Sequence, residues 1–406
     1  MYGPRGGDAT ISTWRRQPLV AGTLQPPKTQ FNTFVNHRGI VYRYGGCHFI
    51  KQKTQPDDAF WAFDPAAHAW RELKVPAGSG GGGANQKAPG RRVNHIAVAQ
   101  GGHMWVWGGT TGLGRGDTLE GGLYRIKRPS QAGTAGLDAW CGEVHAGLVS
   151  WEAVEVKGNK TSRPLSREEP ASCTYRDKIY VFGGSRPGEF DLDDLWVFDC
   201  AKLKWSEVSG KGEYKRPKAR RGGVMFAGHG GVYLYGGQMV VGDGSQMGTE
   251  SSACFDRFDV ETTTWQSLRV SGHHPGPLQE TTALPLTGVD PLVAAHIGTA
   301  AGNIARTGAE AGAEAGMEPH SVLLVHGYCG GRWLLETHGV AAVVEALGQR
   351  RTRSIGCPYK RQLFRFDLRT GAWTELEMIG QSWVLSTAQV ETQTQNFNPK
   401  LHAPGP

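Results

Sequence analysis

The sequence lacks the features that would place it in a membrane or among disulfide-rich secreted proteins. No uninterrupted apolar stretch approaches the ~20 residues that a transmembrane helix needs. The first 27 residues carry Gly, Arg, Gln and Pro where a secretory signal would have an apolar core. The seven cysteines are irregularly spaced and include no Cys-x-x-Cys pair. We therefore expect reduced thiols, no membrane insertion and a cytoplasmic location; the nucleus is the alternative, and import into an organelle is disfavoured.

Motifs of catalytic and metal chemistry are also lacking. The sequence has no His-Glu-x-x-His, no zinc-type Cys/His spacing, no EF-hand loop and no phosphate-binding glycine loop. The densest acidic group is Asp191, Asp193 and Asp194. Asp is common in turns because its carboxylate accepts hydrogen bonds from its own downstream backbone; metal binding is the alternative. The sequence thus predicts a non-enzymatic protein with no metal ion or other cofactor.

What the sequence has instead is glycine and tryptophan in a repeated order. In each of four units a β-prone run ends in Gly-Gly, a second β-prone run follows, and a tryptophan comes after it. The glycine pairs are Gly45-Gly46, Gly108-Gly109, Gly183-Gly184 and Gly236-Gly237, and the tryptophans are Trp70, Trp151, Trp205 and Trp265. A fifth unit runs from Val322 to Trp373 and has lost the pair. Repeats of ~50 residues with four strands each are typical of a propeller.

The glycine pairs and tryptophans predict how the units pack. Gly-Gly after a strand permits a sharp turn, or an approach of neighbouring backbone so close that a Cβ would collide. The strand Ile179 to Phe182 is apolar on both faces, which predicts that it is covered on both sides. A tryptophan buries a large area. We expect the tryptophans to lie between adjacent blades.

The hydrophobic-Tyr-hydrophobic-aromatic-Gly-Gly order, then Asp193 to Asp199, then Trp205, resembles the kelch repeat. The resemblance implies an all-β, kelch-type β-propeller whose blades have four antiparallel strands. Five repeats are clear, whereas kelch rings most often have six or seven blades. Thr13 to Arg16, which includes Trp14, and Ser382 to Val390 could meet in a closing blade made from both termini. An irregular ring of six blades is therefore favoured over a ring of five.

The repeats predict one propeller at residues 28–390, between an N-terminal arm at 1–27 and a C-terminal tail at 391–406. Neither end has room for a BTB-like or F-box-like module, so a role as a ubiquitin-ligase adaptor is not expected. Long loops on a rigid framework often carry recognition, but they also cost little in closure entropy. The three predicted insertions, at about 127–150, 270–320 and 333–358, could therefore be recognition loops or neutral expansions of the chain, and both interpretations stay open.

Arginines recur just before the innermost strand of successive units: Arg91, Arg92, Arg167, Arg220 and Arg221. Equivalent positions in a ring lie near one another. By resemblance to kelch propellers that bind acidic peptides, these residues would lie at the mouth of the central channel, where guanidinium groups bind carboxylates in pairs. A net charge of +7 also favours an acidic partner. We therefore expect a protein-interaction module that binds an acidic protein segment at a basic channel mouth.

Several alternatives stay open. Each arginine could pair with an acid or a carbonyl of a neighbouring blade and be structural. The chain could be a permanent structural subunit of a large assembly, with its terminal arms extended along neighbours. A kelch-type enzyme is less favoured, because neither the residues of the copper oxidases nor the Glu-x-x-x-Asp-x-x-x-His series of the iron-binding specifiers is found. Nucleic acid is disfavoured as a partner, because the aromatic residues are assigned to the core.

Overall fold

The computed structural model describes most of the repeat region of the chain. The described residues are 11–14, 19, 21–37, 40–50, 53–65, 67–74, 88–112, 119, 121–126, 149–186, 190–241, 248–269, 274–286, 319, 321–325 and 363–380. In these ranges the chain forms twenty-five β-strands, β1 to β25, and one 3-10 turn at Lys160–Ser162. The described ranges contain no helix of the length and apolarity needed to cross a membrane.

Five antiparallel sheets follow one another along the chain, and we call them blades 1 to 5. From the axis outward, blade 1 has β2 (Thr33–His37), β3 (Ile40–Tyr44), β6 (Phe60–Asp64) and β7 (Ala69–Leu73). Blade 2 has β8 (Ile96–Gln100), β9 (His103–Trp107), β10 (Leu123–Ile126) and β11 (Trp151–Ala153). Blade 3 has β12 (Ala171–Tyr175), β13 (Lys178–Phe182), β14 (Leu195–Asp199) and β15 (Lys204–Glu207). The first strands of consecutive blades contact one another, so these strands are the innermost.

Blades 4 and 5 repeat this order with additions. Blade 4 has β16 (Val224–Gly228), β17 (Gly231–Tyr235), β20 (Phe255–Asp259) and β21 (Thr264–Ser267). Blade 5 has β22 (Thr282–Leu286), β23 (Ser321–Val325), β24 (Leu363–Asp367), β25 (Trp373–Gly380) and, as a fifth strand, β1 (Ile11–Trp14). Two extra hairpins follow the glycine pairs of blades 1 and 4: β4 (Cys47–Ile50) with β5 (Lys53–Pro56), and β18 (Gln238–Val241) with β19 (Gly248–Ser251). The expected all-β propeller with four-stranded blades is confirmed.

The number of blades differs from the favoured six. The described residues form a propeller of five blades. Trp14 does not begin another sheet, because its strand β1 pairs in parallel with the edge strand β25 and lengthens blade 5. Ser382 to Val390, the other half of the expected closing blade, lies outside the described residues. The segment 270–320, expected as an insertion, contains β22, the innermost strand of blade 5. The other two expected insertions lie almost wholly outside the described residues.

Neighbouring blades pack face to face, as the apolar strand pattern predicts. Tyr180 and Phe182 of blade 3 share a buried cluster with Val232 of blade 4. On the opposite face of the same strand, Val181 is buried against Trp107 of blade 2. Each central strand is thus covered on both sides, and most of the core consists of the contacts between blades.

The repeated tryptophans lie at these contacts, as expected. Trp205 on the outer strand of blade 3 packs on Trp107 of blade 2, with ring centroids 5.4 Å apart, and is 2% exposed. Three other tryptophans make the same contact with the last aromatic residue of the preceding blade's second strand: Trp151 with Tyr44, Trp265 with Phe182 and Trp373 with Tyr235. The tryptophan therefore joins two blades, and its position in the repeat follows from that contact.

The glycine pairs lie where the backbone of the next blade approaches. Gly183 and Gly184 have φ values of 62° and 92°. A Cβ on Gly183 would lie 2.4 Å from the carbonyl oxygen of Arg220 in the next blade, which would require a backbone shift. The N–H of Gly184 donates to that same oxygen at 3.0 Å. The corresponding bonds, at 2.9, 2.8 and 2.7 Å, run from Gly46 to Arg92, from Gly109 to Arg167 and from Gly237 to Leu278.

Candidate functional site

One face of the propeller is built by two kinds of loop. In blades 1 to 4 the loop before the innermost strand pairs with the loop after Gly-Gly through an isolated β-bridge. These bridges join Gln30 to Cys47, Val93 to Thr110, Glu168 to Ser185 and Arg221 to Gln238. Both kinds of loop therefore lie on the same face, which we call the loop face.

A ring of hydrogen-bonded residues surrounds the axis on the loop face. The residue after each bridge has left-handed backbone, and the equivalent residue of blade 5 has it as well. These five residues, the mouth ring, are Phe31 (φ 59°), Asn94 (56°), Glu169 (52°), Gly222 (61°) and Glu280 (55°). From blade 2 to blade 5, the N–H of each residue donates to the carbonyl oxygen of the previous one, at 3.3, 2.9, 2.9 and 2.8 Å. The bonds fix a conformation that costs a non-glycine residue about 1–3 kcal/mol.

Three of the five predicted arginines lie beneath this ring and are buried. Arg92, Arg167 and Arg220 occupy equivalent positions and are 0%, 0% and 2% exposed. Their carbonyl oxygens accept the glycine N–H of the preceding blade, as described above. The backbone carbonyl of each arginine therefore bonds to the preceding blade, whereas its side chain bonds within its own blade.

Arg167 shows how the buried side chains are paired. Its Nη1 donates to the carbonyl oxygen of Gly183 at 3.0 Å, and its Nε donates to that of Leu165 at 2.9 Å. Both Nη atoms donate to the carboxylate of Asp194, with 2.9 Å between Nη2 and Oδ2. Bidentate pairs of this kind are the strong ones. The guanidinium of Arg167 is thus occupied by its own blade.

Arg92 and Arg220 are held in the same place by different partners. Arg92 donates to the carbonyl oxygens of Gly108, at 3.1 Å, and Pro89. Arg220 donates to the carboxylate of Asp256, which also accepts a hydrogen bond from the hydroxyl of Tyr214 at 2.7 Å. The three arginines are thus paired, as the structural alternative expects, but their partners lie in the arginine's own blade and not in a neighbouring one. A partner on the surface cannot reach them.

Arg91 and Arg221 are the two predicted arginines that reach solvent. Arg91 is exposed, and the side chain of Arg221 is 24% exposed. Arg221 donates to Asp191 Oδ1 at 2.7 Å and to Gln238 Oε1 at 2.6 Å, and its Nε lies 3.5 Å from Glu169 Oε2. The five residues that sequence reasoning grouped at one site therefore divide into three buried and two accessible arginines.

Sequence reasoning missed three of the four carboxylates at the mouth and expected the fourth, Asp191, to be a turn residue or a metal ligand. Glu168, Glu169, Asp191 and Glu280 lie close enough to interact electrostatically through Glu169, and we call them the acid cluster. Desolvation, followed by repulsion from Glu280 and Glu168, raises the pKa of Glu169 to about 7. Desolvation also raises the pKa of Glu168, which accepts a hydrogen bond from Asn94 at 3.3 Å. The signal was a departure from the repeat, since Glu168 and Glu169 follow Arg167 at the positions where Val93 and Asn94 follow Arg92.

Among the described residues, Asp191, Asp193 and Asp194 form ion pairs and not the expected turn bonds. Asp194 binds Arg167, Asp193 pairs with Arg216 at 3.0 Å, and Asp191 binds Arg221. Their carboxylates are used for ion pairs between loops because arginines from the neighbouring loops lie within reach. No group of three or more His, Cys, Asp or Glu within the described ranges is arranged to hold a metal ion.

Large apolar side chains are exposed beside the acid cluster. Phe190 is 71% exposed and directly precedes Asp191. Leu165, 56% exposed, is three residues before Glu168 in the loop that enters blade 3. Val240, 40% exposed, is on β18, two residues after the Gln238 that binds Arg221. The loop face of blades 3 and 4 therefore combines apolar and charged groups.

Comparison with known proteins agrees with this architecture. A model of the KLHDC2/KLHL20/DRC7 Kelch-repeats domain matches residues 138–289. The chain is 26% identical over 205 residues to Kelch domain-containing protein 2 of Bos taurus, covering 50% of this chain and 44% of that protein. It is 30% identical over 96 residues to a Rab9 effector protein with kelch motifs of Xenopus laevis, covering 23% of this chain and 25% of the relative.

A plant relative shares a similar stretch. Acyl-CoA-binding domain-containing protein 6 of Oryza sativa subsp. japonica is 27% identical over 127 residues, which cover 31% of this chain and 19% of the rice protein. The chain thus spans less than half the length of each of these relatives. The five blades, the glycine pairs, the tryptophans between blades and these matches together show a kelch-type β-propeller fold.

Proposed function

We propose that the chain is a non-enzymatic protein-interaction module that binds its partner on the loop face of blades 3 and 4. Kelch repeats generally mediate protein–protein interactions, and the Xenopus relative is by its name an effector of Rab9. The observation that carries the proposal is the exposure of Phe190, Leu165 and Val240 on the loop face. Exposed aromatic and aliphatic groups beside charged ones are typical of binding surfaces, where a few apolar anchors supply most of the affinity.

Backbone contacts hold the segments that carry the proposed anchors. The Glu168–Ser185 and Ser185–Asp191 bridges fix the backbone at Ser185 and Asp191, and Asp191 directly follows Phe190. The carbonyl oxygen of Leu165 accepts the hydrogen bond from buried Arg167. Backbone that is already fixed does not have to be ordered on binding. These contacts support a binding site at Phe190 and Leu165.

The narrower hypothesis, an acidic segment held at a basic mouth, now depends on Arg91 and Arg221. The other three arginines are buried and paired, and Arg221 is already bound to Asp191 and Gln238. If Arg91 grips an acidic segment, then Arg91→Glu will weaken partner binding. The charge reversal Arg216→Glu, on an exposed arginine that pairs with Asp193, is the matched control.

The other candidate is a permanent structural subunit that uses its terminal arms. Both arms lie largely outside the described residues, apart from β1 and residues 19 and 21–27. The two candidates differ in their response to salt. A partner held by exposed charges is released as salt screens the contact, whereas a permanent subunit copurifies in a fixed ratio at high salt.

Phe190→Ser tests the proposed surface directly. We expect this variant to lose at least tenfold in partner recovery, because the substitution removes an exposed apolar anchor. Its melting temperature should stay within about 2 °C of the wild type, since exposed substitutions change stability little. Affinity purification of the full chain with quantitative mass spectrometry measures recovery.

Phe34→Ser is the matched control, because Phe34 is 60% exposed on β2 of blade 1, away from the proposed surface. We expect this variant to retain the partner. Equal recovery with Phe190→Ser and with the wild type would contradict the proposal.

A further inference from the structure

We propose that the segment bound on the loop face is basic, with a Lys or Arg side chain that binds the acid cluster and an apolar side chain that packs on Phe190 and Leu165. The inference rests on the proposed function and names the chemistry of the partner. The proposed basic segment has the opposite charge to the acidic segment that the arginine pattern in the sequence predicts. Three observations support the inference: the balance of charge at the mouth, a buried carboxylate oxygen that has no hydrogen-bond partner among the described residues, and backbone bonds that hold the acid cluster in place.

The first observation is the balance of charge. The four carboxylates of the acid cluster outnumber the guanidinium of Arg221, which lies among them. The arginines that would have made the mouth basic are buried below it and bound to Asp194, Asp256 and backbone carbonyls. The cluster therefore repels an acidic segment and attracts a basic one. Complementary charge of this kind selects a partner and speeds association.

The second observation is a buried oxygen of Asp191. This residue is 8% exposed, and its Oδ1 accepts the hydrogen bond from Arg221. Within the described part of the chain, its Oδ2 has no hydrogen-bond partner. A buried carboxylate oxygen without a donor is unfavourable. Because this oxygen is buried, a cation bound at the surface of the acid cluster stabilises its charge through space. Asp191 directly follows Phe190, so one short loop combines a negative charge with an apolar anchor.

The third observation is that the acid cluster is held in place before any ligand binds. Glu169 and Glu280 belong to the mouth ring, where backbone bonds of 2.9 and 2.8 Å fix their left-handed conformation. Strained non-glycine residues that the surrounding structure holds in place are concentrated at binding sites. Two of the four carboxylates therefore project from backbone that does not have to reorganise on binding.

Binding should depend on pH near neutrality. The groups that act on Glu169 are Glu280, Glu168 and Asp191, which favour its protonated form, and Arg221, which favours its ionised form. These interactions and desolvation leave Glu169 with a pKa of about 7. A bound cation stabilises the ionised form, so binding near pH 7 releases a proton. If only the ionised form binds, affinity rises about tenfold from pH 6 to pH 8.

Selection of random peptides on the full chain tests the inference without bias toward either charge. The probe is a phage-displayed library of random peptides of about twelve residues, selected at pH 7.5 and low salt. We expect the recovered peptides to be enriched in Lys or Arg together with an aromatic or aliphatic residue. Enrichment in Asp or Glu would overturn the inference and favour the acidic-segment hypothesis, and failure to enrich any charge would also overturn it.

Variants then assign the recovered peptides to their site. For one synthesised basic peptide, we expect the double variant Glu169→Gln/Glu280→Gln to weaken binding at least tenfold and to remove most of its pH dependence. Glu207→Gln/Glu213→Gln, two exposed glutamates outside the acid cluster, should bind like the wild type. If binding requires Phe190 but is unchanged in the acid-cluster variant, the basic-segment inference fails and the proposed surface stands. If binding ignores Phe190 as well, both fail.

Discussion

At the residue scale, adjacent arginines in one repeat have opposite environments. Arg220 is 2% exposed and bound to Asp256, whereas the side chain of Arg221 is 24% exposed and lies among the carboxylates of the mouth. The backbone explains the difference. The carbonyl of Arg220 is held by Gly184 of the preceding blade, and Arg221 forms the bridge to Gln238. A shift of one residue thus separates a structural arginine from an accessible one.

Arg167→Ala should destabilise the protein severely. The substitution leaves the carbonyl oxygens of Gly183 and Leu165 without their donor and Asp194 without its guanidinium. Removing one partner of a buried ion pair costs about 3–5 kcal/mol. Urea unfolding followed by tryptophan fluorescence measures the loss. Arg91→Ala is the control and should stay within about 0.5 kcal/mol of the wild type, because Arg91 is exposed. Comparable losses in both variants would refute the structural assignment.

Glu169→Gln should change how stability depends on pH. The pKa of Glu169 is raised to about 7 in the folded protein, from an ordinary value of 4.5. A raised carboxyl pKa favours folding below the ordinary value, and this contribution is lost as the pH rises through 7. Relative to wild type, Glu169→Gln should therefore gain stability as the pH rises from 5 to 8. Urea midpoints at several pH values measure this difference, and parallel curves for the two proteins would contradict the assigned pKa.

At the scale of the elements, the strand that carries the tryptophan in blades 2 to 5 is joined to the preceding blade by that tryptophan ring. Trp205 on β15 contacts Trp107 of blade 2 at 5.4 Å and Phe198 of its own blade at 5.0 Å. Trp70 on β7 contacts Phe63 of its own blade at 5.0 Å and is only half-buried. The tryptophan of blade 3 therefore contacts rings of two blades, whereas the tryptophan of blade 1 contacts a ring of its own blade.

Trp205→Ala should cost about 3–5 kcal/mol, the range for emptying a large buried aromatic site. Trp70→Ala should cost less, because the ring is less buried and the described residues give it a contact only within its own blade. Thermal and urea unfolding of the two variants compare these losses. An equal loss of stability would show that the contact between blades contributes nothing beyond burial within one sheet.

At the scale of the whole molecule, local signals in the sequence predicted the blades because local contacts build them. Each Gly-Gly pair, and each repeated tryptophan of blades 2 to 5, marks one contact between consecutive blades, so a repeated pattern is enough to predict a repeated fold. The prediction of the number of blades depended on which sheet β1 joins. The strand β1 (Ile11–Trp14) pairs with β25, which is far away in the sequence, and no local pattern specifies such a pairing.

The charge of the mouth was harder to predict than the fold. Arginine was the repeated residue, and repetition suggested a shared binding role. Repetition instead reflects a shared structural task, since Arg92 and Arg167 donate to glycine carbonyls of their own blades. Glutamate occupies the mouth-ring position in two of the five blades, as Glu169 and Glu280, and the other three blades have Phe31, Asn94 and Gly222 there, so no periodicity drew attention to these carboxylates.

Hydrogen–deuterium exchange of the full chain, alone and with the partner recovered by affinity purification, tests the central claim most directly. Exchange reports which backbone amides a bound protein protects. We predict protection in the loop that carries Phe190, in the β18–β19 hairpin and in the segment around Glu169, with no change in the outer strands β7, β15 and β21. Protection confined to those outer strands, or to the terminal arms, would contradict a binding site on the loop face.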